Sequence, residues 1–374
     1  MVVAHADRLV LGSSRSDHVA HTTDWWGSAV TEKHIYVGMS GGVDSSLCAA
    51  LLVEQGYRVT GVYMKNWSQD LPGMKCPWAE DLADAKRVAV QLGIDFKVFD
   101  FEKEYKHKVV DYMIAEYEAG RTPNPDIMCN QEVKFKLFLE AALADGADMI
   151  ATGHYARTSG GHLYQAKDKE KDQTYFLYRV TRQALEQTLF PLGDFTKKEV
   201  RAMAKERGLW TAEKKESMGV CFVGSVGIRE FLDQYVTTQP GDVIDKDSGA
   251  IVGQHEGAIY YTNGQRHGLD IGGGLPYYVV GKNMDTNLVY VSRNLNDEAM
   301  WRREISLSEI HWINQPAESS VRLRARLRHR GELLPANIVG RQLDLSTPER
   351  SATAGQSAVF YSDEECVGGA VISE

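Results

Sequence analysis

The segment 38–46 constrains the fold of this chain most, because it joins a strand pattern to a helix pattern through a glycine-rich turn. It reads Gly38-Met39-Ser40-Gly41-Gly42-Val43-Asp44-Ser45-Ser46, after an apolar run at 35–37 and before a helical pattern from Leu47 to Leu52. Glycines let the backbone approach a bound group closely, and a helix start attracts negative charge. The segment therefore predicts an anion site, and its simpler alternative is an ordinary glycine turn between a strand and a helix.

Side chains in this turn suit a polyphosphate. Ser40, Ser45 and Ser46 supply hydroxyl donors, and Asp44 could hold Mg²⁺ against the phosphates. No lysine follows the glycines, which excludes the G-x-x-x-x-G-K-[ST] loop. The string 40–45 instead resembles the PP-loop of ATP pyrophosphatases. That resemblance implies cleavage of ATP between its α- and β-phosphates, with AMP left on a substrate.

Composition restricts the class of protein further. The 374 residues predict two or three domains, and 43% hydrophobic with 25% charged residues is typical of globular proteins. Five scattered cysteines without a C-x-x-C pair argue against a disulfide scaffold or a structural zinc site and fit a reducing cytoplasm. No apolar run approaches the roughly 18 residues that cross a bilayer, so we expect no membrane association.

The order of patterns along the chain predicts the fold class, which is α/β. Strand patterns at 34–38, 59–64, 96–99 and 148–152 alternate with helix patterns at 45–55, 79–92, 102–119 and 131–144. This alternation predicts a doubly wound parallel sheet whose ligand lies at the carboxyl ends of the strands. A further helix pattern covers 197–208, and glycines with short β-type runs dominate from about 240, which predicts a small central β-rich domain and a C-terminal β-barrel. The expected boundaries are a disordered leader at 1–33 and domains at 34–222, 223–300 and 301–374.

Two segments place a cysteine in an unusual setting. In Thr122-Pro123-Asn124-Pro125-Asp126-Ile127-Met128-Cys129-Asn130, two prolines stiffen a loop before a helix, where a thiolate is favoured and Asp126 is a candidate general base. In Ser217-Met218-Gly219-Val220-Cys221-Phe222-Val223-Gly224, the cysteine lies between glycines and follows two lysines. The alternatives are a buried cysteine with Asp126 as a helix cap, and an ordinary free thiol at Cys221.

A basic stripe offsets the net charge of −9, which taken alone argues against a nucleic-acid partner. Five arginines occupy every second position from Arg322 to Arg330. On a strand they would share one face, opposite apolar residues, and could bind phosphates and stacked bases. The alternative is a solvated strand face paired with acidic residues.

Over residues 34–372 the chain resembles the tRNA-specific 2-thiouridylases. Besides the turn and both cysteine segments, the resemblance rests on the segments 152–157, 171–177, 190–193, 264–269 with Gly272-Gly273, and Gly355-Gln356 before 358–361. The leader lies outside the family pattern, and Met218 stands where that pattern has threonine.

The resemblance implies a role for individual residues. It implies an ATP site made of Gly38, Met39, Ser40, Gly41, Gly42, Val43, Asp44, Ser45, Met64 and Gly153. It implies that the target base meets Asn124, Pro125 and Asp126. It implies contacts with the anticodon arm of tRNA by His154, Lys171, Asp172, Gln173, Arg328, His329 and Gln356.

The implied reaction is thiolation of the wobble uridine. Its 2-oxygen attacks the α-phosphate, and Cys221 then carries sulfur as a persulfide from a relay protein or cysteine desulfurase. Cys129 resolves that persulfide through a disulfide, or is itself the nucleophile. Another PP-loop enzyme of tRNA or a non-catalytic tRNA-binding protein is the alternative. The sequence leaves open whether Cys129 and Cys221, with Cys76, hold an iron–sulfur cluster instead.

Overall fold

The computed structural model describes residues 33–70, 76–215, 227–269, 271–272, 275–297, 300–315, 322–350 and 352–373. The strands, in chain order, are β1 His34–Gly38, β2 Arg58–Lys65, β3 Asp95–Asp100, β4 Met149–Thr152, β5 Ala156–Ser159, β6 His162–Gln165, β7 Thr188–Leu189, β8 Gly241–Asp245, β9 Ile251–His255, β10 Tyr278–Asn283, β11 Leu288–Ser292, β12 Trp301–Trp312, β13 Leu323–Arg326, β14 Leu334–Val339, β15 Gln342–Arg350, β16 Ser357–Ser362 and β17 Glu365–Ile372. The helices are α1 Val43–Glu54, α2 Trp78–Leu92, α3 Glu102–Tyr105, α4 Asp111–Glu118, α5 Pro125–Met128, α6 Phe138–Ala144, α7 Arg182–Glu186, α8 Lys197–Glu206 and α9 Ile228–Leu232.

The first sheet is parallel and confirms the predicted α/β class. Its order is β3-β2-β1-β4-β7, so the chain builds outward from β1 and then returns to place β4 on the other side of β1. β1 is buried along its whole length, as a central strand covered on both faces must be. The reversal of strand order between β1 and β4 opens a crevice at their carboxyl ends, where ligands of such sheets bind.

Two of the predicted helices differ from those in the structure. The predicted helix 102–119 consists of α3 and α4 joined by a π-helical segment, Lys106–Val110. The predicted helix 131–144 begins earlier, because Pro125 occupies the first turn of α5 and the Asn124 side chain accepts a hydrogen bond from Asp126 N at 3.1 Å. The chain then continues through a π-helical segment, Cys129–Leu137, into α6. Asp126 and Cys129 therefore lie on the first turns of a helix rather than in a free loop.

From Gly241 onward the described regular structure is mainly β-strand, as expected from about residue 240. The middle sheet has the order β10-β11-β8-β9. The C-terminal strands form a closed barrel in the order β12-β15-β14-β13-β16-β17, which the pairing of β12 with β17 closes. The hairpin β5–β6 of the first domain pairs with β17 through Leu163 and Tyr164, so the barrel sheet extends into the α/β domain. Sequence patterns gave no sign of this long-range pairing.

Candidate active site

The glycine turn after β1 presents donors at the carboxyl end of the sheet. Within the described chain, no side chain caps the start of α1, whose N-cap residue is Gly42. Ser45 Oγ accepts a hydrogen bond from Ser40 N at 3.1 Å, and Ser46 Oγ donates to Gly42 O at 2.8 Å. These hydroxyls order the turn, and the amides of the first turn of α1 are placed to bind an anion.

Two glycines are required where the turn meets its neighbours. Gly41 has φ +77°, and a Cβ there would lie 2.3 Å from Asp81 O of α2. A Cβ on Gly153, just after β4, would lie 2.8 Å from the carbonyl carbon of Asp44 and from Ser45 N. The end of β4 therefore packs directly on the turn, as the prediction of both glycines for the ATP site requires.

Asp44 is held by an ion pair that the sequence did not reveal. Lys197 Nζ lies 2.8 Å from each carboxylate oxygen of Asp44, and the Tyr155 hydroxyl donates to Asp44 Oδ1 at 2.8 Å. Lys197 is the first residue of α8, where a capping box between Thr196 and Glu199 fixes the helix start. The Lys197 ammonium and the Asp44 carboxylate therefore lie together at the start of α1, beside the glycine turn.

Asp126 lies in a setting that favours its neutral form. Burial raises the pKa of its carboxyl, and the Lys134 charge opposes that shift only in part. A raised pKa lets a carboxyl exchange a proton at a pH closer to neutrality, which suits a general base.

Seven of the ten predicted ATP residues line two adjoining cavities, together with Asp126. The other two predicted base-contacting residues, Asn124 and Pro125, line neither. The larger, of about 350 Å³, is lined by Met39, Ser40 and Met64 together with Asp126 and Cys129, and by the aromatic rings of Tyr63, Trp67, Trp78 and Phe176. The smaller, of about 190 Å³, is lined by Gly38, Ser40, Asp44, Ser45, Met64, Thr152, Gly153 and His154. Ser40, Met64 and His154 line both cavities, so a nucleotide in the turn and a base against the aromatic rings would lie next to each other.

Two cysteines line the larger cavity. Cys129 is buried, 4% exposed, and Cys76 lines the same cavity, where burial raises the pKa of its thiol. Cys221 and Met218 lie outside the described residues, as do residues 1–32 of the leader expected at 1–33. In the described ranges, no group of three or more His, Cys, Asp or Glu residues is placed to hold a metal ion.

Two residues expected to contact tRNA make close internal contacts, and they differ in exposure: His154 is half-buried and Asp172 is buried. The His154 ring packs between Phe135 and Phe190, hydrogen-bonds Thr152 Oγ1 at 2.8 Å, and has its pKa lowered well below the usual value by burial. Asp172 is 2% exposed, accepts from Thr174 Oγ1 at 2.9 Å and pairs with Arg326 at 3.3 Å. The structure corrects the prediction for Asp172, which is buried where it pairs with the barrel. His154 lines both cavities, and its contact with tRNA stays a prediction.

The predicted arginine stripe is also corrected. β13 ends at Arg326, so residues 327–330 leave the strand, and Arg326 itself is buried. Arg328 is exposed and lies 3.2 Å from Glu349, whereas the His329 ring packs 4.5 Å from the ring of Phe176. The stripe fails because a buried acidic partner, Asp172, draws one arginine of the series inward.

Three of the remaining predicted tRNA residues line a cavity at the glycine turn, and the fourth, Gln356, lies in the barrel. Lys171, Gln173 and His329 line a third cavity, of about 290 Å³, together with Ser40 and Asp44. Gln356 is half-buried, and its carbonyl accepts from Ile372 N at 2.7 Å. The sequence patterns did not identify Lys134 or Lys197 as site residues. The Thr196–Glu199 capping box predicts a helix start at Lys197, but no local pattern links Lys197 to Asp44.

No helix among the described residues is long and apolar enough to span a membrane.

Comparisons with known proteins cover nearly the whole chain. Three family models match in succession: a tRNA methyl transferase HUP domain at residues 33–225, a tRNA methyl transferase PRC-barrel domain at 229–293, and an aminomethyltransferase beta-barrel domain at 302–372. The tRNA-specific 2-thiouridylases MnmA of Bacillus anthracis and Bacillus cytotoxicus are each 46% identical to it over 356 residues, which is 92% of this chain and 95% of theirs.

Among solved structures, a 4-thiouridine synthetase–RNA complex with bound ATP is 19% identical, with a TM-score of 0.36 over 54% of this chain and 50% of that one. That overlap is too small to carry an argument. The curated relatives and the family models together match the ATP turn, the middle domain and the barrel in the same order as in this chain. The chain therefore belongs to the tRNA-specific 2-thiouridylase family.

Proposed function

We propose that this protein catalyses the ATP-dependent 2-thiolation of the wobble uridine, position 34, of tRNA. The observation that carries the proposal is a pair of cavities with shared walls, one at the glycine turn and the other lined by Asp126 and Cys129; Ser40, Met64 and His154 line both. A base must leave its stack to reach such a site. The aromatic rings of Trp67, Trp78 and Phe176 offer it a stacking surface.

The first half-reaction activates the base. The 2-oxygen of the uracil attacks the α-phosphorus of ATP, and the bond from that phosphorus to the bridging oxygen breaks. Pyrophosphate leaves with the electron pair, and Asp126 accepts the N3 proton of the uracil. Asp44 and the phosphates of ATP form a donor set that suits Mg²⁺, which would neutralise charge on the phosphates.

The second half-reaction transfers sulfur. The terminal sulfur of a Cys221 persulfide attacks C2, and AMP leaves as the C2–O bond breaks. The Cys129 thiolate then attacks Cys221 Sγ, which forms a disulfide and frees 2-thiouridine. A cellular dithiol must reduce that disulfide before the next turnover, and a relay protein or cysteine desulfurase restores the persulfide.

Two assays test this function. We expect pyrophosphate release that depends on tRNA with an unmodified U34, and 2-thiouridine in the product by mass spectrometry. A tRNA with cytidine at position 34 is the matched control and should release none. Thiolation at another position would indicate a different PP-loop enzyme, and tRNA binding without pyrophosphate release would indicate a non-catalytic protein.

Substitution of the cysteines tests the sulfur route. Cys221→Ser should still adenylate the uridine but carry no persulfide, because a hydroxyl cannot hold transferable sulfur. Cys129→Ser should accept a persulfide on Cys221 and fail in multiple turnover. Mass spectrometry after incubation with a desulfurase and relay decides this, and persulfide on Cys129 in the Cys221→Ser protein with thiolation retained would reverse the roles.

Cys76→Ala is the matched variant for the iron–sulfur alternative. Cys76 lines the cavity but has no part in the persulfide route, so the variant should retain thiolation. Iron bound on anaerobic purification of the wild type, with iron and thiolation both lost in Cys76→Ala, would instead favour a cluster.

A further inference from the structure

One turn of the barrel reaches across to the phosphate-binding turn of the first domain. We call residues 327–330 the arginine turn; it follows β13 and is closed by a hydrogen bond from Gly331 N to Arg328 O at 2.9 Å. Its last residue, Arg330, is exposed and lines the third cavity together with Ser40, Gly42, Val43 and Asp44 of the glycine turn.

Several contacts fix the arginine turn on the first domain. The Tyr175 hydroxyl donates to Leu327 O at 3.3 Å, and the rings of Phe176 and His329 lie 4.5 Å apart. Arg330 Nε donates to Glu170 O at 3.1 Å. The position of Arg330 is therefore set by a built interface rather than by a free surface loop.

The backbone of Arg330 adds a second, independent observation. Its φ is +61°, which a residue with a side chain rarely adopts. A glycine at position 330 would adopt this conformation without strain, but in this chain the glycine stands one residue later, at 331. Residues held in such a conformation cluster at functional sites, where the surrounding structure enforces them.

The charge of the third cavity suits a polyphosphate. Lys171, Lys197, Lys215 and Arg330 are its cationic lining residues, and Asp44 is its one carboxylate among the lining residues that the structure describes. The Lys197 ammonium lies 2.8 Å from the Asp44 carboxylate, so it already balances a negative charge at the turn. If the α-phosphate of ATP binds at the turn, the β- and γ-phosphates would extend from the turn into this cavity and contact these cations.

We propose that Arg330 of the barrel and Lys197 of the first domain bind the β- and γ-phosphates of ATP, so that the barrel completes the pyrophosphate subsite. This inference rests on the ATP-dependent activity proposed above. It follows that ATP cleavage depends on the position of the barrel relative to the first domain. It also follows that Arg330, a member of the predicted stripe, binds a nucleotide rather than RNA.

Direct binding measurements test the proposal without tRNA. Affinities for ATP, inorganic pyrophosphate and AMP are measured by calorimetry for the wild type and for Arg330→Gln. We expect about tenfold weaker binding of ATP and pyrophosphate, the scale of one lost charge-assisted hydrogen bond. AMP lacks the two phosphates, so its affinity should change less than twofold. Arg330→Lys should recover part of the loss, and Arg341→Gln, an exposed arginine of the same barrel that does not line the cavity, should match the wild type.

Two results would overturn the proposal. Unchanged ATP and pyrophosphate affinities with weakened tRNA binding would assign Arg330 to the RNA backbone. An equal loss for AMP would mean that the arginine turn only shapes the site. If the nucleotide results are as expected and no 2-thiouridine forms, the proposed function fails while the phosphate subsite stands.

Discussion

At the scale of single residues, Asp44 shows how the site is poised before substrate binds. Its carboxylate is neutralised by Lys197 and oriented by the Tyr155 hydroxyl. The Asp44 and Lys197 side chains are 31% and 12% exposed, so the pair is partly shielded from water. Binding of a magnesium–ATP complex would break this ion pair. The Asp44 carboxylate would then bind Mg²⁺, and the Lys197 ammonium would bind the phosphates.

Asp44→Asn is expected to reduce pyrophosphate release by roughly a hundredfold or more, because a metal ion contributes several kcal/mol at a transferring phosphoryl group. Asparagine keeps the size of the side chain and its bond to Tyr155, so circular dichroism should show a folded protein. Tyr155→Phe is the matched control, since it removes the hydroxyl bound to Asp44 and leaves the carboxylate; its rate should stay within tenfold. Unchanged pyrophosphate release in Asp44→Asn would exclude the proposed role.

Asp126 makes a pH dependence testable. Burial raises the pKa of its carboxyl, so the base form is lost at a higher pH than for an ordinary aspartate. The adenylation rate should therefore rise with pH through that raised pKa. Asp126→Asn should lower the rate by about 10²–10⁴, the range for general base catalysis, and abolish this acid limb. Single-turnover rates between pH 5 and 8 check both effects.

The same shift fixes the sign of the stability effect. A carboxyl whose pKa is higher in the folded than in the unfolded state lowers the free energy of unfolding when it is ionised, and this loss is largest above the folded-state pKa. The loss disappears below the unfolded-state pKa, where the carboxyl is neutral in both states. Asp126→Asn should thus leave Tm unchanged or raised at pH 8. An acid limb that persists in the variant would assign the proton transfer to another group.

At the scale of elements, the segment before α5 is a junction of three domains. Thr122 N donates to Ala354 O of the barrel at 2.9 Å, and Thr122 Oγ1 lies 3.0 Å from Thr262 Oγ1 of the middle domain. Gly355 packs so closely that a Cβ there would lie 2.8 Å from Thr122 N. Asp126 and Cys129 follow on the same short stretch, so the barrel helps to position them.

Gly355→Ala tests this junction. Its φ of +88° and the close Thr122 backbone both oppose a side chain, so we expect a loss of stability of about 1–3 kcal/mol. The rate of adenylation of tRNA should fall while ATP binding without tRNA is kept. Gly340→Ala has a similar φ of +61° with nothing within 4 Å of the added Cβ, so it controls for backbone strain alone. Equal adenylation rates in the two variants would show that the junction does not position the site.

The elements also show what the sequence could and could not predict. The parallel sheet, the glycine turn and the strands of the barrel follow from local patterns, because burial and turn chemistry are local properties. The hairpin β5–β6 joining β17, the burial of Arg326 on Asp172 and the pairing of Lys197 with Asp44 depend on residues 153 to 203 positions apart, which no local pattern encodes. The catalytic segments were therefore predictable as motifs, but their partners were not.

At the scale of the whole molecule, a chain with a net charge of −9 must bind a polyanion through local positive surface. The structure divides the predicted stripe among several tasks: Arg326 is buried on Asp172, Arg330 lines the nucleotide cavity, and Arg328 faces solvent. Arg328 and Arg330 are both exposed. Arg330 lines the third cavity and Arg328 lies outside it, so we assign Arg328 to the backbone of a large ligand. Its pair with Glu349 is exposed on the arginine side, so breaking it costs little stability.

Arg328→Gln is accordingly expected to weaken tRNA binding and to lower the magnitude of the log–log salt slope by about 0.7–0.9, the value for one lost phosphate contact. The affinity for ATP measured without tRNA should not change, because Arg328 does not line the nucleotide cavities. Filter binding at several salt concentrations measures the slope, and Arg341→Gln, an exposed arginine of the same barrel, controls for the loss of one charge. If both variants lower the slope equally, the barrel attracts tRNA only through its overall field; if neither does, the RNA binds on another face.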